Sequence, residues 1–91
     1  MKRLQAVVHG RVQGVGFREF VRHEAATRGI TGYVRNSDDG QRVEVVAEGD
    51  EQRLAELVQA LHEGPRFARV ERVDVDYSQP SLGFAKFSVE L

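Results

Sequence analysis

Two segments with helical hydrophobic spacing, separated by segments with strand alternation, constrain the fold of this chain more than any other feature. Between Phe17 and Arg28, apolar residues recur at the i, i+3, i+4 spacing of a buried helix face. A similar spacing returns after Asp50, a typical N-cap residue that is followed by Glu51 in the first turn. The two apolar stripes are Phe17, Phe20, Val21 and Ala25, and Leu54, Leu57, Val58 and Leu61. The segments that read as strands are Leu4–Val12, Ile30–Asn36, Val43–Glu48, Val70–Tyr77 and Phe84–Leu91.

Turn residues separate these segments. Gly29 and the pair Gly64-Pro65 are typical helix stops, and Asp39-Gly40 is a hairpin signal between two strands. The resulting order predicts an α+β fold, a ferredoxin-like βαββαβ sandwich. We expect an antiparallel sheet with both helices on one face and a short extra C-terminal strand. Residues 1–91 are predicted to form one domain.

Composition excludes several classes of function. The chain has 91 residues, 13 of them basic and 14 acidic, so it lacks the basic excess of a general nucleic-acid binder. It has no cysteine, which excludes disulfides, thiolate catalysis and cysteine-ligated metals. The first residues carry too short an apolar stretch for a signal peptide, and no apolar run reaches the roughly 20 residues of a membrane span. We therefore expect a cytoplasmic protein that binds neither nucleic acid nor membrane.

The loop between the first strand and the first helix is rich in glycine. Gly14 and Gly16 allow positive φ angles, so that successive backbone amides can point into a concave anion site at a helix N-terminus. Arg18 at the helix start can bind two oxygens of a phosphate or carboxylate. The pattern matches neither the P-loop nor the GxGxxG fingerprint. On spacing alone, tight-turn chemistry with a solvated arginine remains the alternative to a small oxyanion site.

The segment from Gly10 to Arg18, Gly-Arg-Val-Gln-Gly-Val-Gly-Phe-Arg, resembles the signature of the acylphosphatase family. The resemblance continues in order over nearly the whole chain. Its further motifs are Gly32-Tyr33-Val34-Arg35-Asn36, Asp39-Gly40, Val43-Glu44-Val45, Glu48-Gly49, Gly64-Pro65, Ala68-Arg69-Val70 and Phe84–Val89. One difference is the hairpin from Ser37 to Arg42, which is one residue longer than the usual family form.

The resemblance implies an enzyme that hydrolyses the carboxyl–phosphate bond of a small acyl phosphate, with inorganic phosphate or another oxyanion as product or inhibitor. It implies Arg18 as the phosphate-binding arginine and Asn36 as the residue that holds the attacking water. No metal or other cofactor is needed when an arginine and the backbone amides carry the charge, and nothing in the sequence demands more than a monomer. The implied phosphate-binding residues, through their backbone amides, are Gln13, Gly14, Val15, Gly16, Phe17 and Arg18.

Other polar residues have simpler explanations. His9, His23 and His62 lack metal-ligand spacing, and His9 is expected to find a local hydrogen-bond partner. Arg35 precedes Asn36 on a strand and is expected on the opposite face. Arg11 flanks the loop and either raises the local positive potential or is simply solvated. Asp38 and Asp39 lie in the predicted turn before Gly40.

Three other functions remain as alternatives. A non-catalytic ferredoxin-like module could bind a small anion or a protein partner through the same loop, because this fold serves many functions. A relative of the acylphosphatase-like domain of hydrogenase maturation proteins is a second alternative, although those chains are much longer. RNA binding is the weakest, because the sequence lacks interleaved aromatic and basic residues.

Overall fold

The computed structural model describes residues 1–90. Within this range the chain forms five strands and two helices in the order β1, α1, β2, β3, α2, β4, β5. The strands are β1 (Lys2–Arg11), β2 (Thr31–Asn36), β3 (Arg42–Gly49), β4 (Arg69–Ser78) and β5 (Phe87–Val89). The helices are α1 (Phe17–Ala26) and α2 (Glu51–Glu63).

All five strands form one sheet with the order β4-β1-β3-β2-β5. The pairs β1–β3, β1–β4 and β2–β3 are antiparallel, which confirms the predicted ferredoxin-like arrangement. The extra strand β5 pairs with β2 in parallel, with Gly32 opposite Phe87 and Val34 opposite Val89, so the sheet is mixed rather than wholly antiparallel. The reason is topological. After β4 the chain crosses to the opposite edge of the sheet and enters β5 in the direction of β2.

The hydrophobic core lies between one face of the sheet and the two helices. Leu4, Ala6 and Val8 of β1 alternate into it, as the period-2 pattern predicted. Both helical stripes also face the core; the fully buried members are Phe17, Val21 and Ala25 of α1 and Leu54, Leu57 and Leu61 of α2. Within residues 1–90, neither helix combines the length and apolar character needed to cross a membrane.

The element ends differ from the sequence prediction in a few places. α1 ends at Ala26, two residues before the predicted end. The amides of Gly29 and Ile30 then donate to the carbonyls of Ala26 and Ala25, which is the Schellman pattern expected for a glycine stop. Asp50 occupies the N-cap of α2, but its side chain makes no capping hydrogen bond.

The last strand is shorter than predicted. It spans Phe87–Val89, whereas Phe84 lies in the preceding loop and packs its ring edge-on against Tyr33. The predicted final residue of this strand, Leu91, lies outside the described residues.

The hairpin between β2 and β3 closes through Ser37, which is 5% exposed. Its amide donates to the Arg42 carbonyl at 2.9 Å, and its hydroxyl accepts from the Arg42 amide at 3.0 Å and donates to Asp39 Oδ1 at 2.6 Å. These bonds close the turn from Ser37 to Arg42. Asn36 therefore keeps its regular pairing with Val43 at the end of β2.

The buried stripe of α2 leads to a stability prediction. Leu57→Ala removes a fully buried side chain and should lower the free energy of unfolding by about 3 kcal/mol. Gln59→Ala, at an exposed position of the same helix, should change it by less than about 0.5 kcal/mol. Urea titrations followed by circular dichroism measure both. Equal losses in the two variants would contradict the described core.

Candidate functional site

The loop that joins β1 to α1 takes a conformation that requires its two central glycines. Gly14 and Gly16 have φ angles of 69° and 75°, in the left-handed region. A Cβ added at either position would meet no atom within 4 Å, so the backbone angle rather than crowding favours glycine. The loop turns sharply between a strand and a helix in the way the sequence predicted.

Helix α1 begins with free backbone donors. Its first intrahelical hydrogen bond runs from the Phe20 amide to the Gly16 carbonyl at 3.0 Å, so the amides of residues 17–19 have no acceptor inside the helix. Gly16 is the N-cap and offers no side chain to these amides. The positive end of the helix dipole and these three N–H groups, which have no acceptor within the helix, can thus face an anion.

A cavity of about 240 Å³ opens at this helix start. Its size is below the roughly 300 Å³ at which pockets for drug-sized ligands begin, and it suits a small ligand. It is lined by Val12, Gly14, Gly16, Phe17, Arg18, Glu19, Asn36 and Val89. Arg18 and Asn36, which are 18 positions apart in the chain, therefore share one cavity.

Two of the predicted loop residues do not line the cavity. Val15 packs against the hydrophobic core. Gln13 turns its side chain toward the hairpin, where Nε2 donates to the Arg42 carbonyl at 2.9 Å. The side chain of Gln13 thus ties the loop to the start of β3.

The segment that follows β5 holds the side chain of Arg18. Its Nη1 donates to the Glu90 carbonyl at 3.1 Å. The Glu90 amide in turn donates to the Val34 carbonyl of β2 at 2.8 Å. A guanidinium has five N–H donors, so this bond leaves further donors for a bound oxyanion.

Asn36 reaches the cavity because it ends β2, beside the parallel strand β5. Its neighbour Arg35 lies on the opposite face, as predicted, and forms ion pairs with Asp38 at 3.0 Å and Glu44 at 3.2 Å. Strand alternation therefore separates the amide in the cavity from the arginine that precedes it.

His9 and Arg11 lie outside this cavity. His9 Nε2 is 2.8 Å from Asp74 Oδ2, which confirms the expected local partner, and this hydrogen bond lowers the pKa of the Asp74 carboxyl. Both residues line a separate, shallower depression with Arg42. In residues 1–90, no three carboxylate or imidazole side chains come together in a way that could hold a metal ion.

Glu19 also lines the cavity, although its position in the sequence did not predict this. The Arg22 guanidinium donates to its carboxylate, and this hydrogen bond lowers the pKa of the Glu19 carboxyl. An acidic residue in the first turn of a helix commonly stabilises the helix dipole. The sequence therefore gives no sign that Glu19 also lines a cavity. The ion pair with Arg22 offsets the negative charge that Glu19 brings to the cavity wall.

The fold and this site define a class: small ferredoxin-like α+β proteins in which a glycine loop, a helix N-terminus and an arginine meet at one small cavity. A family model described as acylphosphatase matches residues 4–89. This chain belongs to the acylphosphatase family.

Individual relatives agree with the family model. An acylphosphatase of Salinibacter ruber is 52% identical over 88 residues, which cover 97% of this chain and 92% of the relative. The crystal structure of acylphosphatase from Bacillus subtilis covers both chains completely, with 44% identity and a TM-score of 0.95. HypF of T. kodakarensis is 33% identical with a TM-score of 0.84, and the match spans 12% of that chain.

Glu19 leads to a prediction about anion affinity. Glu19→Gln removes a negative charge beside the cavity and should tighten inorganic phosphate binding roughly 2- to 3-fold at low salt. The gain should shrink in about 1 M salt, where the screening length falls to roughly 3 Å. Glu51→Gln, in the first turn of the other helix, is the control and should leave the affinity unchanged. Isothermal titration with phosphate measures this, and weaker binding by Glu19→Gln would contradict it.

Proposed function

We propose that this protein is an acylphosphatase that hydrolyses the carboxyl–phosphate bond of small acyl phosphates through Arg18 and Asn36. The observation that carries the proposal is that both side chains line one small cavity at the uncapped N-terminus of α1. Membership of the acylphosphatase family supports the reaction type.

Binding of the phosphoryl group is assigned to the loop and Arg18. The backbone amides of the loop residues that line the cavity, Gly14, Gly16, Phe17 and Arg18, and the positive end of α1 stabilise negative charge on the phosphoryl oxygens. The guanidinium of Arg18 adds a full positive charge and paired N–H donors. Since phosphoryl transfer depends mainly on positioning and charge stabilisation, these groups supply the larger part of the catalysis.

The attacking water is assigned to Asn36, whose side-chain amide orients it opposite the acyl oxygen. The water oxygen forms a bond to phosphorus while the bond between phosphorus and the acyl oxygen breaks. The electron pair of that bond leaves with the carboxylate, and the protons of the water stay with the released phosphate or pass to solvent. Each product then carries its ordinary charge at neutral pH.

The leaving group explains why a neutral amide suffices. The conjugate acid of a carboxylate has a pKa of about 4, so the group departs without a proton from a general acid. In a loose transition state the nucleophile forms little bond to phosphorus, and a water molecule in the correct position is adequate. This chemistry needs neither a strong base nor a covalent nucleophile.

Benzoyl phosphate hydrolysis, followed by ultraviolet absorbance, tests the activity. The protein should accelerate hydrolysis far above the spontaneous rate, and excess chelator should not reduce the rate. Saturable phosphate binding by folded protein without any turnover would reject the enzyme and favour the non-catalytic anion-binding module.

Two substitutions separate the assigned roles. Arg18→Ala removes charge-assisted bonds, and we expect a roughly 10- to 100-fold loss of phosphate affinity together with a loss of rate. Asn36→Ala should reduce kcat roughly 100-fold or more, yet change phosphate affinity by less than about 3-fold, because it acts on the water.

Arg35→Ala is the matched control for both variants, since it removes an arginine next to Asn36 from the opposite face. It should keep kcat and phosphate affinity close to those of the unmodified protein. Steady-state kinetics and phosphate titration measure the three variants, and equal affinity losses in Arg18→Ala and Asn36→Ala would contradict the division of roles.

A further inference from the structure

Glu48 is a buried carboxylate that the proposed reaction does not use. It lies on β3 and is 1% exposed. Val43, Val45 and Ala47 of the same strand face the helices, so strand alternation directs Glu48 to the opposite face of the sheet. A buried charge is costly unless it is fully hydrogen-bonded, and the reason for its presence lies in its partners.

Three of its four polar contacts come from the loop between β4 and β5, residues 79–86, here called the crossover. The Ser81 amide and hydroxyl donate to Oε2 at 2.7 and 2.8 Å, and the Leu82 amide donates to Oε1 at 2.7 Å. The fourth contact is Arg3 Nη1, 3.5 Å from Oε2. Burial raises the pKa of Glu48, but the hydrogen bonds from Ser81 and Leu82 and the charge of Arg3 outweigh it, and the net shift is downward.

The crossover has to span the sheet. It leaves β4 at one edge and enters β5 at the other, and β3 is the central strand between them. Glu48 therefore fixes the crossover in mid-span. Farther along, Phe84 packs against Tyr33 with ring centroids 5.9 Å apart, and the Arg3 guanidinium lies 5.9 Å from the Phe84 ring.

The end of the crossover determines where β5 lies, and β5 determines the contact to Arg18. β5 has only three residues, and a strand this short contributes little pairing energy of its own. The Glu90 amide is hydrogen-bonded to Val34, and the Glu90 carbonyl accepts from Arg18. Detachment of the crossover from Glu48 would therefore loosen β5 and the hydrogen bonds of Glu90 with Val34 and Arg18.

We propose that Glu48 is a positioning residue for anion binding, which orients Arg18 through the crossover, β5 and the Glu90 carbonyl. This inference rests on the proposed function, since it gives Arg18 the role of phosphate ligand. Glu48 is not among the residues that line the cavity, so the proposed role acts through other residues and not by contact with a bound anion. A purely fold-stabilising Glu48 would instead change the stability and leave the phosphate affinity of the folded protein unaltered.

The test is Glu48→Gln. The amide has nearly the same shape, but one acceptor oxygen becomes an N–H donor that faces the amide of Ser81 or Leu82. If the crossover is docked on residue 48 in only a fraction of the molecules, the apparent dissociation constant for phosphate rises as the inverse of that fraction. We expect folded Glu48→Gln to bind inorganic phosphate roughly 3- to 10-fold more weakly.

Glu44→Gln is the matched control, because Glu44 lies on the same face of the same strand and carries the same charge. Its known partner is Arg35 at the half-exposed surface. It should leave phosphate affinity unchanged, or tighten it slightly through the lost negative charge. This control separates loss of positioning from a change in net charge.

A double-mutant comparison tests whether the effect passes through Arg18. In the Arg18→Ala background, Glu48→Gln should cause no further weakening, since the group it orients is gone. Phosphate titrations followed by NMR chemical shifts measure the four proteins, and circular dichroism verifies that each is folded. Equal weakening by Glu48→Gln in both backgrounds, or unchanged affinity in the single variant, would overturn the proposal.

Ser81→Ala provides a second variant if Glu48→Gln does not fold. It removes one of the three crossover bonds and should weaken phosphate binding roughly 2-fold, also only when Arg18 is present. Unchanged affinity in folded Ser81→Ala would then overturn the proposal.

Different experimental outcomes reject the positioning role of Glu48 and the proposed reaction. Benzoyl phosphate turnover by the unmodified protein, with normal phosphate affinity in Glu48→Gln, would reject the positioning role alone. Weakened phosphate binding in Glu48→Gln, without turnover by the unmodified protein, would reject the reaction alone. Absence of phosphate binding by the unmodified protein would reject both.

Discussion

The geometry of the site depends on the packing of the Phe17 side chain in the hydrophobic core. Phe17 is 2% exposed, and its ring packs edge-on against Phe20 at a centroid distance of 5.9 Å. It lies between Gly16, whose left-handed backbone turns the chain, and Arg18, whose side chain reaches the cavity. Burying a phenylalanine contributes roughly 1.5–3 kcal/mol, and here it anchors the start of α1 to the core. Packing of Phe17 therefore holds the first backbone amides of the helix in place.

The second half of the site depends on how strands meet at one end of the sheet. Asn36 ends β2, and the parallel strand β5 runs beside it toward Glu90. The pairing of β2 with β5 thus places both the side-chain amide of Asn36 and the Glu90 carbonyl that accepts from Arg18. A rigid sheet supports both groups from the same side, which favours the precise positioning that phosphoryl transfer requires.

Local charge, rather than net charge, underlies the proposed anion site in a chain with a formal charge of −1. Arg18 and the N-terminus of α1 provide positive potential within a small cavity, while Arg22 neutralises Glu19 at its wall. Local donors also stabilise the buried carboxylate of Glu48, which accepts hydrogen bonds from backbone amides and a hydroxyl. Oriented N–H groups thus carry much of the electrostatic stabilisation at Glu48, as the proposal assigns to the start of α1.

The sequence by itself determined the element types, the order of the elements and the composition of the loop. Hydrophobic periodicity is a local signal, so it identified both helices and the strands that face the core. Glycine and arginine at the start of α1 led to the prediction of an oxyanion site for the same local reason, and that site stays a prediction. Tertiary structure alone decided the parallel pairing of β5, the place of Glu19 and the contacts of Glu48 and Glu90. These contacts join residues far apart in the chain, such as Glu48 with Ser81 and Arg18 with Glu90. No spacing along the sequence encodes them, because they arise where the chain crosses from one sheet edge to the other.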